Sequence, residues 1–346
     1  MKYNGEQLMG FCRDVMSKAG LGAGEAEVFA RSLVVADMRG IASHGVTRLR
    51  TYSQRVKSGV VRAGAEPTVV SGSDGFLLID ANNGLGASVG LKVMDLLMDK
   101  AKVTGSCMAS VRGGNHFGIG ALFTMYAAQK GMIAFAMSNA SACVVPTGGA
   151  KSMLGTNPLS IALPADRYGC LVLDMATSSV AQGKVILAQK EGKPIPSGWA
   201  VDDQGRDTTD PAAALKGSML PFGGPKGYAL GLIIDILCAT LSGANSSRGI
   251  PSFWNDFENP QNLGFFMGVM DISRITSLDD FRSNTTALFD EIKSSPRAPG
   301  VDEIFIPGEL EERAHSRAQQ DGIELGAAVV ADLKALGDEY GVSFFE

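Results

Sequence analysis

The sequence contains only three histidines, His44, His116 and His315, and histidine is the side chain that most often transfers protons near neutral pH. His116 lies within the segment GGNHFGIG (113–120), between a predicted strand and a predicted helix. Four glycines around one imidazole let a ligand approach the backbone closely. This pattern predicts a proton-transferring role for His116. The alternative is a tight turn in which the histidine only caps the helix. His315 lies in a charged helical segment and is expected at the surface.

A second cluster combines Ser43, His44, Arg48 and Tyr52, and the pattern over residues 43–57 predicts a helix. On a helix, a spacing of four residues places His44, Arg48 and Tyr52 on one face. A guanidinium can hold a carboxylate through two parallel hydrogen bonds. The cluster therefore indicates a binding site for a carboxylic acid, unless it is an exposed helix with an ordinary arginine.

Three further loops have the composition of a ligand-binding site, and each contains one residue of interest: Thr156 in GTNP (155–158), Asp174 in DMATS (174–178), and Lys226 in FGGPKGY (222–228). A carboxylate after a strand often holds ribose hydroxyls, and a lysine before a helix suits an anionic group. The segment GLGASVG (84–90) imitates a dinucleotide-binding fingerprint, but its spacing differs from GxGxxG. We interpret it as an ordinary turn.

Composition excludes several classes of function. The 346 residues carry 31 Lys and Arg against 36 Asp and Glu, a net charge of −5, which disfavours nucleic-acid binding. The five cysteines form no CxxC pair, and the sequence has no HExxH, GxSxG or P-loop motif, so no metal site is predicted. The first ten residues are too polar for a signal peptide, and no stretch suits a membrane span. A cytoplasmic location is expected.

The predicted elements begin with helices and continue, after Pro67, as alternating strands and helices, which indicates a mixed α/β or α+β fold. Strands are predicted near residues 68–70, 76–80, 107–111, 133–137, 160–163, 171–175 and 263–272. A single amphipathic helical region is predicted over 309–340. We expect a helical domain formed by residues 1–70 with 310–346, and an α/β cofactor-binding domain formed by residues 71–309.

Taken together, the motifs resemble those of the malate/L-lactate dehydrogenase family, which is distinct from the Rossmann dehydrogenases. Its members include ureidoglycolate dehydrogenase, L-sulfolactate dehydrogenase, 2,3-diketo-L-gulonate reductase and Δ1-piperideine-2-carboxylate reductase. The motifs that carry the resemblance occur in family order: SHGVTRL (43–49), NNGLG (82–86), NHFG (115–118), VPTGG (145–149), GTNP (155–158), DMATS (174–178), GGPKG (223–227) and IPGE (306–309). Pro225 stands where many members have histidine.

The resemblance implies an L-sulfolactate dehydrogenase-like fold, a homodimer, and an enzyme that uses NAD or NADP on a small 2-oxo or 2-hydroxy acid. A reductase of cyclic imino acids is the alternative. His116 would be the proton donor and acceptor, with Ser43, His44 and Arg48 also catalytic. Arg48, Tyr52 and Thr156 would bind the substrate. The cofactor would be bound by His44, Gly118, Ile119, Gly120, Thr156, Asp174, Met175, Ala176, Thr177, Lys226, Pro307, Gly308 and Glu309. Neither the substrate nor the choice between NAD and NADP follows from the sequence.

Overall fold

A computed structural model describes residues 1–345 of the chain. Its strands are β1 (Lys2–Tyr3), β2 (Thr68–Gly72), β3 (Phe76–Asp80), β4 (Ser106–Gly114), β5 (Met132–Ser138), β6 (Leu159–Pro164), β7 (Cys170–Met175), β8 (Ala200–Val201), β9 (Ser218–Met219), β10 (Leu263–Asp271) and β11 (Ile323–Glu324). Its helices are α1 (Gly5–Ala19), α2 (Ala23–Met38), α3 (Leu49–Lys57), α4 (Gly86–Thr104), α5 (Ala121–Ala128), α6 (Gln182–Glu191), α7 (Pro211–Lys216), α8 (Pro225–Asp235), α9 (Leu278–Ser294), α10 (Glu309–Asp321) and α11 (Ala327–Tyr340).

Seven strands form one mixed sheet in the order β2-β3-β4-β10-β5-β6-β7. Only β3 and β4 run parallel, and α4 makes the crossover between them; every other neighbouring pair is antiparallel. A dinucleotide fold of the Rossmann type has a mostly parallel sheet. The predicted mixed α/β class is therefore confirmed, and the sheet is not of the Rossmann type.

The helices at the two ends of the chain share one hydrophobic core. Strand β1 pairs antiparallel with β11, and Phe11 of α1 packs edge-on against Phe344, with 5.0 Å between the ring centroids. The same core takes in Leu85 and Phe253 from the middle of the sequence. These contacts bring the N- and C-terminal helices together, while the division into two domains at the predicted boundaries stays a prediction. No described helix is both long and apolar enough to cross a membrane.

Two predicted helices are interrupted. The region 309–340 forms α10 and α11, because Gly322 has a φ of +87° and the chain then enters β11. The region 43–57 is α-helical only from Leu49; before it lie two 3-10 turns, Ala42–His44 and Val46–Arg48. Gly45 between them is extended, with φ −88° and ψ −153°. The prediction that His44 and Arg48 share one face of an α-helix is wrong for this reason.

Candidate active site

The imidazole of His116 is held from one side. The loop that follows β4 carries it to α3, where its Nδ1 forms a short hydrogen bond with the hydroxyl of Tyr52. The backbone N–H of Gly118 also donates to Nδ1, at 3.3 Å. Since both contacts involve Nδ1, Nε2 is the ring nitrogen available to a substrate. When Nδ1 accepts from the Tyr52 hydroxyl and from Gly118, Nε2 carries the ring proton and can donate it. When Nδ1 is protonated and donates to the Tyr52 oxygen, Nε2 of the neutral ring can accept a proton.

Hydrogen bonds within the 42–48 turns gather the second cluster. The hydroxyl of Ser43 lies 2.9 Å from Nδ1 of His44, whose ring stacks on that of His116 with 5.6 Å between centroids and 20° between planes. Arg48 folds back and donates from Nε to the carbonyl of Ser43 at 2.6 Å. The structure thus brings together Ser43, His44, Arg48, Tyr52 and His116, through loop contacts in place of helical spacing.

An aromatic pair beneath these side chains was not anticipated from the sequence. The guanidinium carbon of Arg48 lies 4.4 Å from the ring centre of Trp254 and 5.5 Å from that of Phe253. The ring of Phe253 also packs on His116 at 4.8 Å and on Tyr52 at 5.1 Å. A guanidinium stacks favourably on aromatic rings. The sequence offered one signal for this pair: a phenylalanine and one of only two tryptophans are adjacent in a turn-rich segment.

Arg55 fixes this aromatic pair from below. Its side chain is fully buried, and Nη1 donates to the carbonyls of Phe253, at 3.2 Å, and of Asp256, at 2.7 Å. Arg55 follows Tyr52 by three residues on α3, so the face that these two residues share was readable from the sequence. The sequence did not indicate that Arg55 would contact Phe253, almost two hundred residues away.

The turn that carries His44 is anchored by a partly buried carboxylate. Asp37 accepts a hydrogen bond from the backbone N–H of Val46 at 2.7 Å. A Cβ at position 45 would lie 2.0 Å from Oδ1 of Asp37, so only glycine fits there. Burial raises the pKa of Asp37 to about 7, although the hydrogen bond from Val46 by itself lowers that pKa. The close approach of Gly45 and Asp37 therefore fixes the position of Ser43 and His44 in the site.

Burial and positive charge keep both imidazoles of the site neutral. Burial, followed by the charge of Arg48, lowers the pKa of His44 to about 3. Burial is also the main cause that lowers the pKa of His116 well below its ordinary value, and His44, Arg48 and Arg55 add to it. Burial raises the pKa of the Tyr52 hydroxyl. At neutral pH the site therefore holds neutral rings beside the cationic Arg48.

Several of the predicted cofactor residues meet around a cavity of about 290 Å³. Asp174 ends β7 and accepts a hydrogen bond from the N–H of Ala121, the first residue of α5, at 2.8 Å. The cavity is lined by Asp174, Pro307 and Gly308, together with Arg39, whose buried Nε has no hydrogen-bond partner. Burial raises the pKa of Asp174 to about 6. These groups come from distant parts of the sequence and form one surface.

The loop after His116 leaves the backbone open at one position. Gly118 has a φ of +81°, and a Cβ there would meet no atom within 4 Å. Ile119 and Gly120 are buried, and a Cβ on Gly120 would lie 2.6 Å from Ser160. Gly118 is thus required by its backbone conformation, and the space beside it is free for a ligand.

The remaining predicted residues differ in their surroundings. The carbonyl of Thr156 accepts hydrogen bonds from the N–H and hydroxyl of Thr177, at 2.8 and 2.9 Å. Met175 and Ala176, which precede Thr177, are partly buried. The carboxylate of Glu309 is held by Lys293 at 2.7 Å and by Arg313 at 2.8 Å, and its part in cofactor binding stays a prediction. Lys226 is exposed in the first turn of α8, and its part in cofactor binding stays a prediction.

The glycine run after Asn83 packs against the His116 loop. A Cβ on Gly86 would lie 2.4 to 2.7 Å from the backbone of Asn115, His116 and Phe117. The carbonyl of Gly84 accepts a hydrogen bond from the Asn115 side chain at 3.0 Å. The small residues here allow close packing. Residues 86–90 belong to α4, so the segment interpreted as an ordinary turn is a turn only before Gly86 and a helix after it.

A family model described as malate/L-lactate dehydrogenase matches residues 3–334 of the sequence. The chain belongs to this family. L-sulfolactate dehydrogenase from Methanocaldococcus jannaschii is 37% identical over 330 residues, which cover 95% of this chain and 94% of that protein. Malate dehydrogenase from Pyrococcus horikoshii is 36% identical and covers 97% of this chain and 95% of its own length. The predicted family is confirmed.

Solved structures agree with the family over the whole fold. The sulfolactate dehydrogenase from Methanocaldococcus jannaschii superimposes with a TM-score of 0.93, at 36% identity, covering 99% of this chain and 98% of its own. The Δ1-piperideine-2-carboxylate reductase from Pseudomonas syringae gives 0.86 at 30% identity, covering 97% of this chain and 99% of its own. The predicted sulfolactate dehydrogenase-like fold and the predicted enzyme class, a nicotinamide-dependent dehydrogenase, are confirmed.

Proposed function

We propose that this enzyme interconverts a small 2-oxo acid and its 2-hydroxy acid, with Arg48 binding the carboxylate and His116 exchanging the proton. One observation carries the proposal: the Arg48 guanidinium and the His116 imidazole both pack on the ring of Phe253, at 5.5 and 4.8 Å from its centre. A carboxylate-binding cation thus lies beside a proton-transferring ring, the two groups that a 2-oxo acid needs on adjacent carbons.

The proposed reaction follows from this arrangement. Arg48 binds the carboxylate through its terminal nitrogens, because its Nε is already bonded to Ser43. As hydride reaches C2, the carbonyl π bond breaks and the oxygen takes a proton from Nε2 of His116. In the reverse direction, Nε2 accepts the hydroxyl proton while hydride leaves C2. Tyr52 orients the ring through Nδ1, and Ser43 and His44 complete the substrate pocket with Thr156.

The residues around the 290 Å³ cavity fit a nicotinamide cofactor. Asp174 and the buried, unpartnered Nε of Arg39 offer a carboxylate and a cation to the same space, and the open face of Gly118 admits a flat ring near His116. Asp174 to Thr177, Pro307, Gly308 and the 118–120 loop would hold the cofactor, with His44 at its reactive end. The bound cofactor supplies or accepts the hydride. Lys226 would reach a phosphate.

A reductase of cyclic imino acids is the second candidate. The pKa of His116, lowered well below its ordinary value, favours a ring without an acidic proton at neutral pH. A substrate imine that arrives already protonated does not need one. The structural neighbour from Pseudomonas syringae is a Δ1-piperideine-2-carboxylate reductase.

A homodimer and a cytoplasmic location are further parts of the proposed function. Sedimentation velocity tests the homodimer.

Oxidation of NADH and of NADPH, measured in parallel against a panel of substrates, tests the proposed function. The panel contains pyruvate, oxaloacetate, 2-oxoglutarate, a diketo sugar acid, Δ1-piperideine-2-carboxylate and Δ1-pyrroline-2-carboxylate. We expect turnover of at least one 2-oxo acid. Exclusive turnover of the imines would establish the second candidate, and cofactor binding without any turnover would contradict both.

The pH dependence should differ between the two directions. Because the pKa of His116 in the free enzyme is well below 6.5, the neutral ring that accepts a proton is already present at neutral pH. We expect kcat/KM for hydroxy-acid oxidation to stay level as the pH falls through 6.5, and to decline only at the lower pH at which His116 becomes protonated. For the reduction, which needs the protonated ring, kcat/KM should fall as pH rises across the neutral range. An acidic limb centred at 6.5 in the oxidation profile would contradict this assignment.

A further inference from the structure

Two arginines lie around the Phe253 ring that packs on His116. The guanidinium carbons of Arg48 and Arg55 each lie 5.5 Å from the centre of that ring, and the charges of both lower the pKa of His116, as does His44. His44, with a pKa lowered to about 3, is neutral. Arg55 is completely inaccessible, and its Nη1 is bonded to the carbonyls of Phe253 and Asp256. Arg48 is therefore the cation that can pair with an anionic substrate beside His116.

The surface next to that cation is aromatic. The indole of Trp254 is 48% exposed, and its ring lies 4.4 Å from the guanidinium carbon of Arg48. Phe253 supports it edge-on at 5.0 Å between centroids. Arg55 fixes the backbone of the same segment from below. An exposed indole held in place beside a carboxylate-binding group is a preformed contact surface for the rest of the substrate.

We propose that Trp254 is a specificity-determining residue and that the substrate carries a single carboxylate and an apolar side chain that packs on its indole. The inference rests on the proposed function, since it assigns the carboxylate to Arg48. A second carboxylate would lose water beside the aromatic ring while Arg48 is paired with the first and Arg55 is inaccessible, which is costly. An apolar side chain would instead remove the exposed indole face from water.

The chemistry of the ligand is thus defined by one charge and one apolar group. Aromatic and branched aliphatic 2-oxo acids satisfy both requirements, and so do cyclic imino acids with a single carboxylate. Dicarboxylic acids such as oxaloacetate do not. The site would therefore select its substrate by excluding a second negative charge as much as by binding the apolar group.

Kinetics with three 2-oxo acids test the inference on the intact enzyme and its preferred nicotinamide cofactor. We expect kcat/KM for phenylpyruvate and for 4-methyl-2-oxopentanoate to exceed that for oxaloacetate by about 10-fold or more, the range that pocket contacts of this kind can give. In the W254A variant, this ratio should fall towards one, chiefly through a higher KM for the apolar substrates. The matched control is W199F, which changes the other tryptophan and should keep the parental ratio.

Binding gives a second readout that does not depend on turnover. W199F leaves Trp254 as the single tryptophan of the chain, so its fluorescence reports contact at this position. Phenyllactate should change that fluorescence at lower concentration than malate does. Preference for oxaloacetate, an unchanged ratio in W254A, or an equal response to malate would overturn the inference and leave the proposed function intact. Failure of every 2-oxo acid to react would overturn the proposed function, and the fluorescence titration would still decide the role of Trp254.

Discussion

Replacing His116 by alanine should lower kcat for the preferred 2-oxo acid by about 10²- to 10⁴-fold, the range that a positioned general acid–base group contributes. The methyl side chain cannot supply the proton that the carbonyl oxygen takes as hydride arrives. The cofactor should bind with nearly parental affinity, because the cavity lined by Asp174, Pro307 and Gly308 does not include His116. Single-turnover kinetics and a fluorescence titration of the reduced cofactor separate these two effects.

His315→Ala is the matched control for this variant. His315 lies on α10, where its Nδ1 is 4.0 Å from a carboxylate oxygen of Glu312, and its loss should leave kcat unchanged. Tyr52→Phe completes the set, since it removes only the hydroxyl that bonds Nδ1. It should lower kcat less than His116→Ala and move the pH profile. Near-parental turnover by His116→Ala with a 2-oxo acid would remove His116 from the proposed role, whereas full activity with an imine alone would point to the second candidate.

Replacing Arg48 by methionine should lower kcat/KM by about 30- to 4,000-fold, corresponding to the roughly 2–5 kcal/mol that a desolvated hydrogen-bonded charge pair loses when one partner is removed. The guanidinium stacks on Trp254 and is pinned by its Nε to Ser43, so its terminal nitrogens are oriented before the substrate binds. The loss should appear mainly in KM, with a smaller fall in kcat because the reacting carbon is less well placed.

Arg48→Lys separates charge from shape. Lysine keeps the charge but lacks the planar fork and the stacking surface, so activity should lie between that of the parent and that of Arg48→Met. Arg50→Lys is the matched control, at a neighbouring arginine in the first turn of α3. Arg50 pairs with Asp332 and Glu339 of α11, at 2.6 and 2.5 Å, and not with the residues around His116. A normal KM in Arg48→Met, or an equal loss in Arg50→Lys, would contradict the assignment of the carboxylate to Arg48.

Local sequence determined the individual elements and the chemical groups of this enzyme. Strands such as β3 and β5 were readable because apolar residues alternate or cluster between turn residues, and α4 because its apolar residues recur at helical spacing. His116 and Arg48 stood out because their types and glycine-rich or helical surroundings limit what they can do. The motifs in their order also carried the family, which the comparison with known proteins confirmed.

Tertiary structure decided how those groups meet. The turns at 42–48 replaced a predicted helix because Gly45 fits against the partly buried carboxylate of Asp37, a contact that periodicity does not encode. Strand β11 interrupts the last helical region because it pairs with β1, more than three hundred residues away. Phe253 and Trp254 lie beneath the site because Arg55 donates hydrogen bonds to the carbonyls of Phe253 and Asp256, which fix this segment. Each of these outcomes depends on a partner remote in sequence, and local patterns carry no information about such partners.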